Sequence, residues 1–125
     1  MQAAVSILTA KMNEPAGLGR IIRTKEGQII RIVEEKDATD EEREIKEINT
    51  STYCFHTPLL MEALKKIKPM NKQGEYYLTD TIGILRDQGH RIEGIIATDP
   101  DETIGINTLA HLATAEAWIE ARKKD

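Results

Sequence analysis

The stretch Ile29 to Phe55, IIRIVEEKDATDEEREIKEINTSTYCF, decides how the rest of the chain is read. It opens as an apolar, β-branched run and breaks on Glu34-Glu35-Lys36-Asp37. After a charged segment it returns at Glu47-Ile48-Asn49-Thr50 to a second apolar run. β-Branched and aromatic residues suit a pleated, half-buried surface, so both runs read as strands. Between them, Thr39-Asp40-Glu41-Glu42 has the form of a capping box, with Thr39 as N-cap and Glu42 three residues on. A short acidic helix to about Lys46 is therefore expected, its carboxylates at the end the backbone dipole favours. A carboxylate closing one strand and an amide opening the next are short polar groups on stiff elements, an arrangement suited to a polyhydroxylated ligand.

On the N-terminal side, Arg20 to Arg23 and Gln28 to Val33 flank Thr24-Lys25-Glu26-Gly27, the pattern of a β-hairpin with Gly27 supplying a positive φ. Ala3 to Ala10 reads as a buried strand, and Lys11 to Gly19, punctuated by Pro15, Gly17 and Gly19, as a loop. On the C-terminal side, Thr57-Pro58 starts a helix with Pro58 at its first position and an apolar stripe of Leu59, Leu60, Ala63, Leu64 and Ile67. Pro69 to Glu75 is a loop. Thr79 to Gln88 is a helix with Ile82 and Leu85 inward and Gly89 as its stop. Arg91 to Ala97 is a strand, followed by an acidic loop. Asn107 or Thr108 caps a last helix on which Leu109, Leu112, Ala115 and Ile119 share one side. Interleaved strands and helices with one hairpin predict an α/β fold with a mixed sheet and flanking helices.

At 125 residues the chain is expected to form a single domain over 1–125. A formal charge of −4 argues against nucleic acid or an anionic membrane as partner. No apolar run is long enough to span a bilayer and no signal peptide is recognisable, so a cytoplasmic location is expected. Cys54 is the only cysteine and cannot form an internal disulfide; between Tyr53 and Phe55 it reads as a buried, inert thiol. His56, His90 and His111 have no metal-ligand spacing among themselves or with Cys54.

Five motifs occur in order: Gly17-Leu18-Gly19-Arg20, Ile32-Val33-Glu34-Glu35-Lys36-Asp37-Ala38, Glu47-Ile48-Asn49-Thr50, Gln73-Gly74-Glu75-Tyr76-Tyr77-Leu78-Thr79-Asp80 and Gly105-Ile106-Asn107. Together they resemble the uridylyltransferase domain of the bifunctional N-acetylglucosamine-1-phosphate uridylyltransferase/glucosamine-1-phosphate acetyltransferase family, over about Ala3 to Ile119. The resemblance implies a partial nucleotide-diphospho-sugar transferase (Rossmann-like) fold. It implies a parent reaction of UTP with N-acetylglucosamine 1-phosphate, giving UDP-N-acetylglucosamine and pyrophosphate for peptidoglycan and lipopolysaccharide precursors. It further implies that Gly19, Glu34 and Asn49 hold sugar hydroxyls and the acetamido group, that Glu75, Tyr77 and Thr79 line the acetamido pocket, and that Asn107 is a magnesium ligand.

The residue chemistry is compatible with those roles. Glycine lets a ligand approach the backbone, an ionised glutamate accepts from paired hydroxyls, and an asparagine both donates and accepts. Taken without the resemblance, Glu34 reads as a surface carboxylate, Asn49 as a turn residue bonding its own backbone, and Asn107 as a helix cap.

The chain departs from the family pattern at Leu18, where an aromatic is usual, and at Ser51, where glycine is usual. Nothing in it matches the family's Gly-rich triphosphate loop or the aspartate that shares the magnesium, and the β-helix repeats of the acetyltransferase half are missing. It is thus expected to be the sugar-binding half of one domain, with an incomplete magnesium site and no catalytic residue of its own. A half-sheet exposes strand edges and apolar surface, so a homo-oligomer is expected to cover them. The rival expectations are a non-catalytic oligomerising module and a related glucose-1-phosphate uridylyltransferase fragment.

Overall fold

A computed structural model describes residues 2–124. Five strands, β1 (Val5–Lys11), β2 (Arg20–Arg23), β3 (Ile29–Val33), β4 (Glu47–Phe55) and β5 (Ile92–Ile96), form one mixed sheet in the order β3-β2-β4-β1-β5. Only β1 and β5 run parallel, Val5 opposite Ile92 and Thr9 opposite Ile96; the other pairings are antiparallel. The helices are α1 (Asp40–Arg43), α2 (Thr57–Leu64), α3 (Asp80–Asp87) and α4 (Leu109–Lys123). The expected mixed α/β sheet with a hairpin and flanking helices is what forms.

Local chemistry explains most boundaries. Gly27 takes φ 87° and its N–H donates to the Thr24 carbonyl at 2.9 Å, closing the β2–β3 turn. Thr39 Oγ1 accepts from the Glu42 N–H at 3.2 Å and Glu42 Oε1 from the Thr39 N–H at 2.9 Å, the full reciprocal capping box of α1. That helix ends at Arg43, one turn short of the expected Lys46. Gly89 (φ 85°) ends α3: its N–H reaches the Arg86 carbonyl and the His90 N–H the Leu85 carbonyl, the Schellman pattern. α2 begins at Thr57, so Pro58 is its second residue.

The hairpin meets the sheet at a single ladder pair, Arg20 opposite Ile48, and folds back over the sheet. Ile29 of β3 reaches β5: a Cβ on Gly94 would lie 2.5 Å from Ile29 Cδ1 and 3.0 Å from Arg23 Nη2. The core lies inside this curl, where Val5, Ile7, Ile21, Ile29, Ala63, Ile82 and Leu85 are buried, with Tyr53 and Phe55 packed against them. Full burial of Ile82 and Leu85, the inward residues of α3, stabilises by roughly 1.5–3 kcal/mol each. A charged fork lies within the curl as well. Buried Glu47 accepts from Thr9 Oγ1 at 2.7 Å, from Arg23 Nε at 2.7 Å and from Arg23 Nη2 at 2.9 Å.

One further expectation is corrected. Cys54 is exposed, because alternation along β4 turns Tyr53 and Phe55 to the core and Cys54 to the opposite face. On α4, no residue is fully buried: of the side shared by Leu109, Leu112, Ala115 and Ile119, Ala115 is half-buried and the other three are exposed. α4 is held instead at its C-terminal end, where Arg122 pairs with Asp99 and Glu102 and lies 3.7 Å from the centre of the Trp118 ring. Among the described residues, no helix is long and apolar enough to cross a membrane.

Candidate functional site

Glu34 is the extended residue immediately after β3 and leads into a 3-10 turn at Glu35–Asp37. Its Oε1 accepts from the Thr79 hydroxyl at 3.0 Å, tying the strand end to the start of α3. Gly19 lies against the same carboxylate, since a Cβ there would sit 3.4 Å from Glu34 Oε2 and 3.3 Å from Ile32 Cγ2. The Gly19 carbonyl accepts from the Asn49 N–H at 2.9 Å. Gly19, Glu34, Asn49 and Thr79, far apart in sequence, thus form one connected group.

Their surroundings divide them between two clefts. The first, of about 260 Å³, is lined by Glu34, Tyr77 and Thr79 together with Asp37, Asp80, Asn71, Met70 and Arg31. The second, of about 400 Å³, is lined by Asn49, Thr50, Ser51 and Asn107 with Leu18, Ile48 and His111. Both are near the lower edge of the range of small-molecule sites. Gly19 is buried and lines neither. Glu75 is exposed and lines neither cleft; its backbone N–H and carbonyl are held by the Asn71 side chain.

The first cleft is rich in acceptors. Burial, with the Asp37 charge adding, raises the Asp80 carboxyl above the usual aspartate range. Burial also raises the Tyr77 hydroxyl, which the charges of Asp37 and Glu34 push further, so it remains a protonated donor at neutral pH. Tyr77 accepts from Gln73 Nε2 at 2.6 Å, and Asp37 Oδ1 from the Lys72 N–H at 2.8 Å. Asp37 Oδ2 is buried without an aligned hydrogen bond, although the Tyr77 hydroxyl is near enough to feel its charge. Carboxylates and hydroxyls in this density suit sugar hydroxyls and an amide N–H, and repel a phosphate.

In the second cleft, Asn49 Nδ2 donates to the Tyr53 hydroxyl at 2.7 Å and Oδ1 accepts from the Ser51 N–H at 3.0 Å. The side chain is therefore bound to its own strand, as a turn residue would be, but keeps one N–H and one lone pair for a ligand. The irregularity responsible is a bulge: Leu8 faces Thr52 while Thr9 faces Asn49, so Thr50 and Ser51 are extra. Thr50 Oγ1 donates to the Leu8 carbonyl at 2.7 Å, and Ser51 holds φ 64°. Thr108, and not Asn107, caps α4 by accepting from the His111 N–H, while the Asn107 N–H donates to His111 Nδ1.

Sequence reasoning passed over three residues here. Asp37 and Asp80 lay inside quoted motifs but carried no assigned role. Arg20 closed the first motif, and its burial at 2% exposure was not visible in the pattern, because a charged residue at a strand start reads as solvated.

The fold has a counterpart among solved structures. A crystal structure of a Bacillus anthracis protein named as a glucose-1-phosphate thymidylyltransferase superposes on 78% of this chain and 36% of its own, with a TM-score of 0.58 and 18% identity. At that identity the likeness is one of fold, and the fold is a partial Rossmann-like sugar-nucleotide transferase architecture.

Particular relatives come from sequence. The chain is 49% identical over 121 residues to bifunctional protein GlmU of Brevibacillus brevis, covering 97% of this chain and 26% of that protein. It is 50% identical over 117 residues to the protein of that name from Streptococcus gordonii and 51% over 119 residues to that of Clostridium beijerinckii. It is thus homologous to one segment of those proteins and spans about a quarter of their length. No family model matches the chain.

Proposed function

We propose that this chain is the sugar-binding part of an N-acetylglucosamine-1-phosphate uridylyltransferase, folded as one domain. The observation that carries the reading is the meeting of Glu34, Tyr77 and Thr79 in one acceptor-rich cleft, with Gly19 packed against the Glu34 carboxylate, in a chain about half identical to a segment of GlmU proteins. In this reading the Glu34 carboxylate accepts from sugar hydroxyls, with the Gly19 backbone beside it. Tyr77 sets an aromatic face and a protonated hydroxyl against the acetamido group and Thr79 fixes the carboxylate's orientation; Asn49, which lines the second cleft, and the exposed Glu75 meet the parts of the ligand that extend beyond this cleft. The phosphate would be held elsewhere, since this cleft repels it.

Magnesium would serve the parent reaction by neutralising phosphate charge. The residues present do not suffice for it. Asn107 offers one neutral oxygen, and among the described residues no group of three or more His, Cys, Asp or Glu side chains could hold a metal. The chain by itself therefore does not turn over UTP in this proposal. It works in the cytoplasm, and a homo-oligomer covers its exposed strand edge at Ile95 and Ile96.

The deciding experiment is a titration of labelled chain with UDP-N-acetylglucosamine, followed by amide NMR. Saturable shifts are expected at Gly19, Glu34, Asn49 and Tyr77. Charge-assisted hydrogen bonds contribute about 1.5–3 kcal/mol, so Glu34→Ala should weaken binding by roughly 10- to 100-fold. An absence of shifts at millimolar ligand would overturn the assignment of the sugar site to this chain.

A further inference from the structure

Arg20 is one of the largest fully buried side chains, and its guanidinium is spent on positions next to the proposed ligand contacts. Nε donates to the Ile45 carbonyl at 3.0 Å and Nη2 to the Arg43 carbonyl at 3.2 Å. Nη1 donates to the Leu18 carbonyl and lies 2.7 Å from Glu35 Oε2. That last contact is an ion pair without an aligned hydrogen bond, and the Glu35 oxygen is buried with no other partner. Leu18 immediately precedes Gly19. Glu35 immediately follows Glu34. Arg43 and Ile45 close the segment that delivers Glu47 and Asn49 into β4. Arg20 also forms the one ladder pair that joins the hairpin to β4.

We propose that Arg20 is a positioning residue: its planar fork fixes the spacing between the Gly19 backbone, the Glu34 carboxylate and the Asn49 amide. The inference rests on the sugar-site reading for its functional meaning, and on the geometry for the positioning itself. A lysine would keep the charge and lose the fork, because one ammonium cannot address carbonyls on three sides and a carboxylate in a single plane. The ligand contacts would then drift by a fraction of an ångström while the packed α3 face stayed in place. Displacements of that size suffice to degrade a binding constellation.

The test compares wild type with Arg20→Lys by amide hydrogen exchange in the absence of ligand and by UDP-N-acetylglucosamine titration. The Asn49 amide, bonded to the Gly19 carbonyl, is expected to exchange at least tenfold faster in the variant, while the Ile82 and Leu85 amides keep their protection. Affinity should fall about tenfold. Equal acceleration at Asn49, Ile82 and Leu85 would show a purely global stability role and overturn the proposal, as would unchanged exchange at Asn49. If Arg20→Lys does not fold, Glu35→Gln, which removes only the ion pair, carries the same test with a smaller shift in the same direction at Gly19 and Glu34. Should wild type show no ligand shifts, the sugar-site reading fails on its own, and the exchange comparison still decides for or against Arg20.

Discussion

The Ser51 N–H donates to Asn49 Oδ1 at 3.0 Å while Ser51 itself sits at φ 64°. Asn49 thereby folds the β4 bulge around its own side chain, and the cost falls on Ser51, the one non-glycine residue at positive φ among those described. That conformation costs an L-residue roughly 1–2 kcal/mol. Glycine would relieve it, less the roughly 0.5–1 kcal/mol of freedom glycine loses on folding. Ser51→Gly is therefore expected to stabilise the chain by about 0.5–1 kcal/mol, read as a higher urea midpoint at unchanged slope. A lower midpoint would mean that the serine hydroxyl contributes more than the backbone strain costs.

At Gly94 the sheet's curl leaves no room for a side chain. Ile29 Cδ1, only 2.5 Å from a Cβ built there, belongs to a residue 1% exposed and cannot swing into solvent. Gly94→Ala should cost about 1–3 kcal/mol through overpacking. Pairing it with Ile29→Val, which removes that methyl, should recover part of the loss. Strict additivity of the two substitutions would show that the contact is not the cause.

Acid should act on the fork at Glu47. Burial pushes its carboxyl up, but the hydrogen bonds from Arg23 and Thr9 and the Arg23 charge outweigh that and hold it below the ordinary glutamate range. The folded state thus binds fewer protons. The associated stability is present above the unfolded value of about 4.3 and is lost as pH falls through the folded value. Arg23 keeps part of its side chain in water, so Glu47→Gln should cost about 2 kcal/mol at pH 7, less than breaking a wholly buried pair. It should also flatten the acid limb of a stability-versus-pH curve; an unchanged acid limb would remove Glu47 from the account.

Asp80 carries the opposite sign. Its folded carboxyl is raised, by burial and then by Asp37, so stability falls as pH rises from about 3.9, the ordinary aspartate value, to the folded one. The penalty is complete above both. Asp80→Asn should raise the melting temperature at pH 7 relative to wild type, offset in part by the lost charge at the α3 N-terminus, and should give a smaller gain near pH 3. Equal effects at the two pH values would rule out the charge as their source.

What could be read from sequence was local. Gly27, the Thr39–Glu42 pair and the Gly89 stop announce their elements because each satisfies backbone groups within a few residues. Ile82 and Leu85 announce the inner face of α3 by helical spacing. The β4 bulge, the exposure of Cys54, the burial of Arg20 and the unburied face of α4 depend on what lies across the sheet, which no short window contains. The candidate site could be proposed only through the ordered motifs. Glu34 and Thr79 touch by virtue of the tertiary fold, and no periodicity links a strand end to a helix start forty-five positions away.

The parallel pairing of β1 with β5 sets an order of events for folding. The neighbour that completes the hydrogen bonding of β1 on one side follows it in the chain only after the three other strands of the sheet. Until then its apolar edge has no partner on that side, and contacts so remote in sequence slow folding. Until β5 docks, β1 has to be kept from pairing with a wrong edge, which makes β5, the smaller contributor to the core, the element that ends the period of aggregation risk.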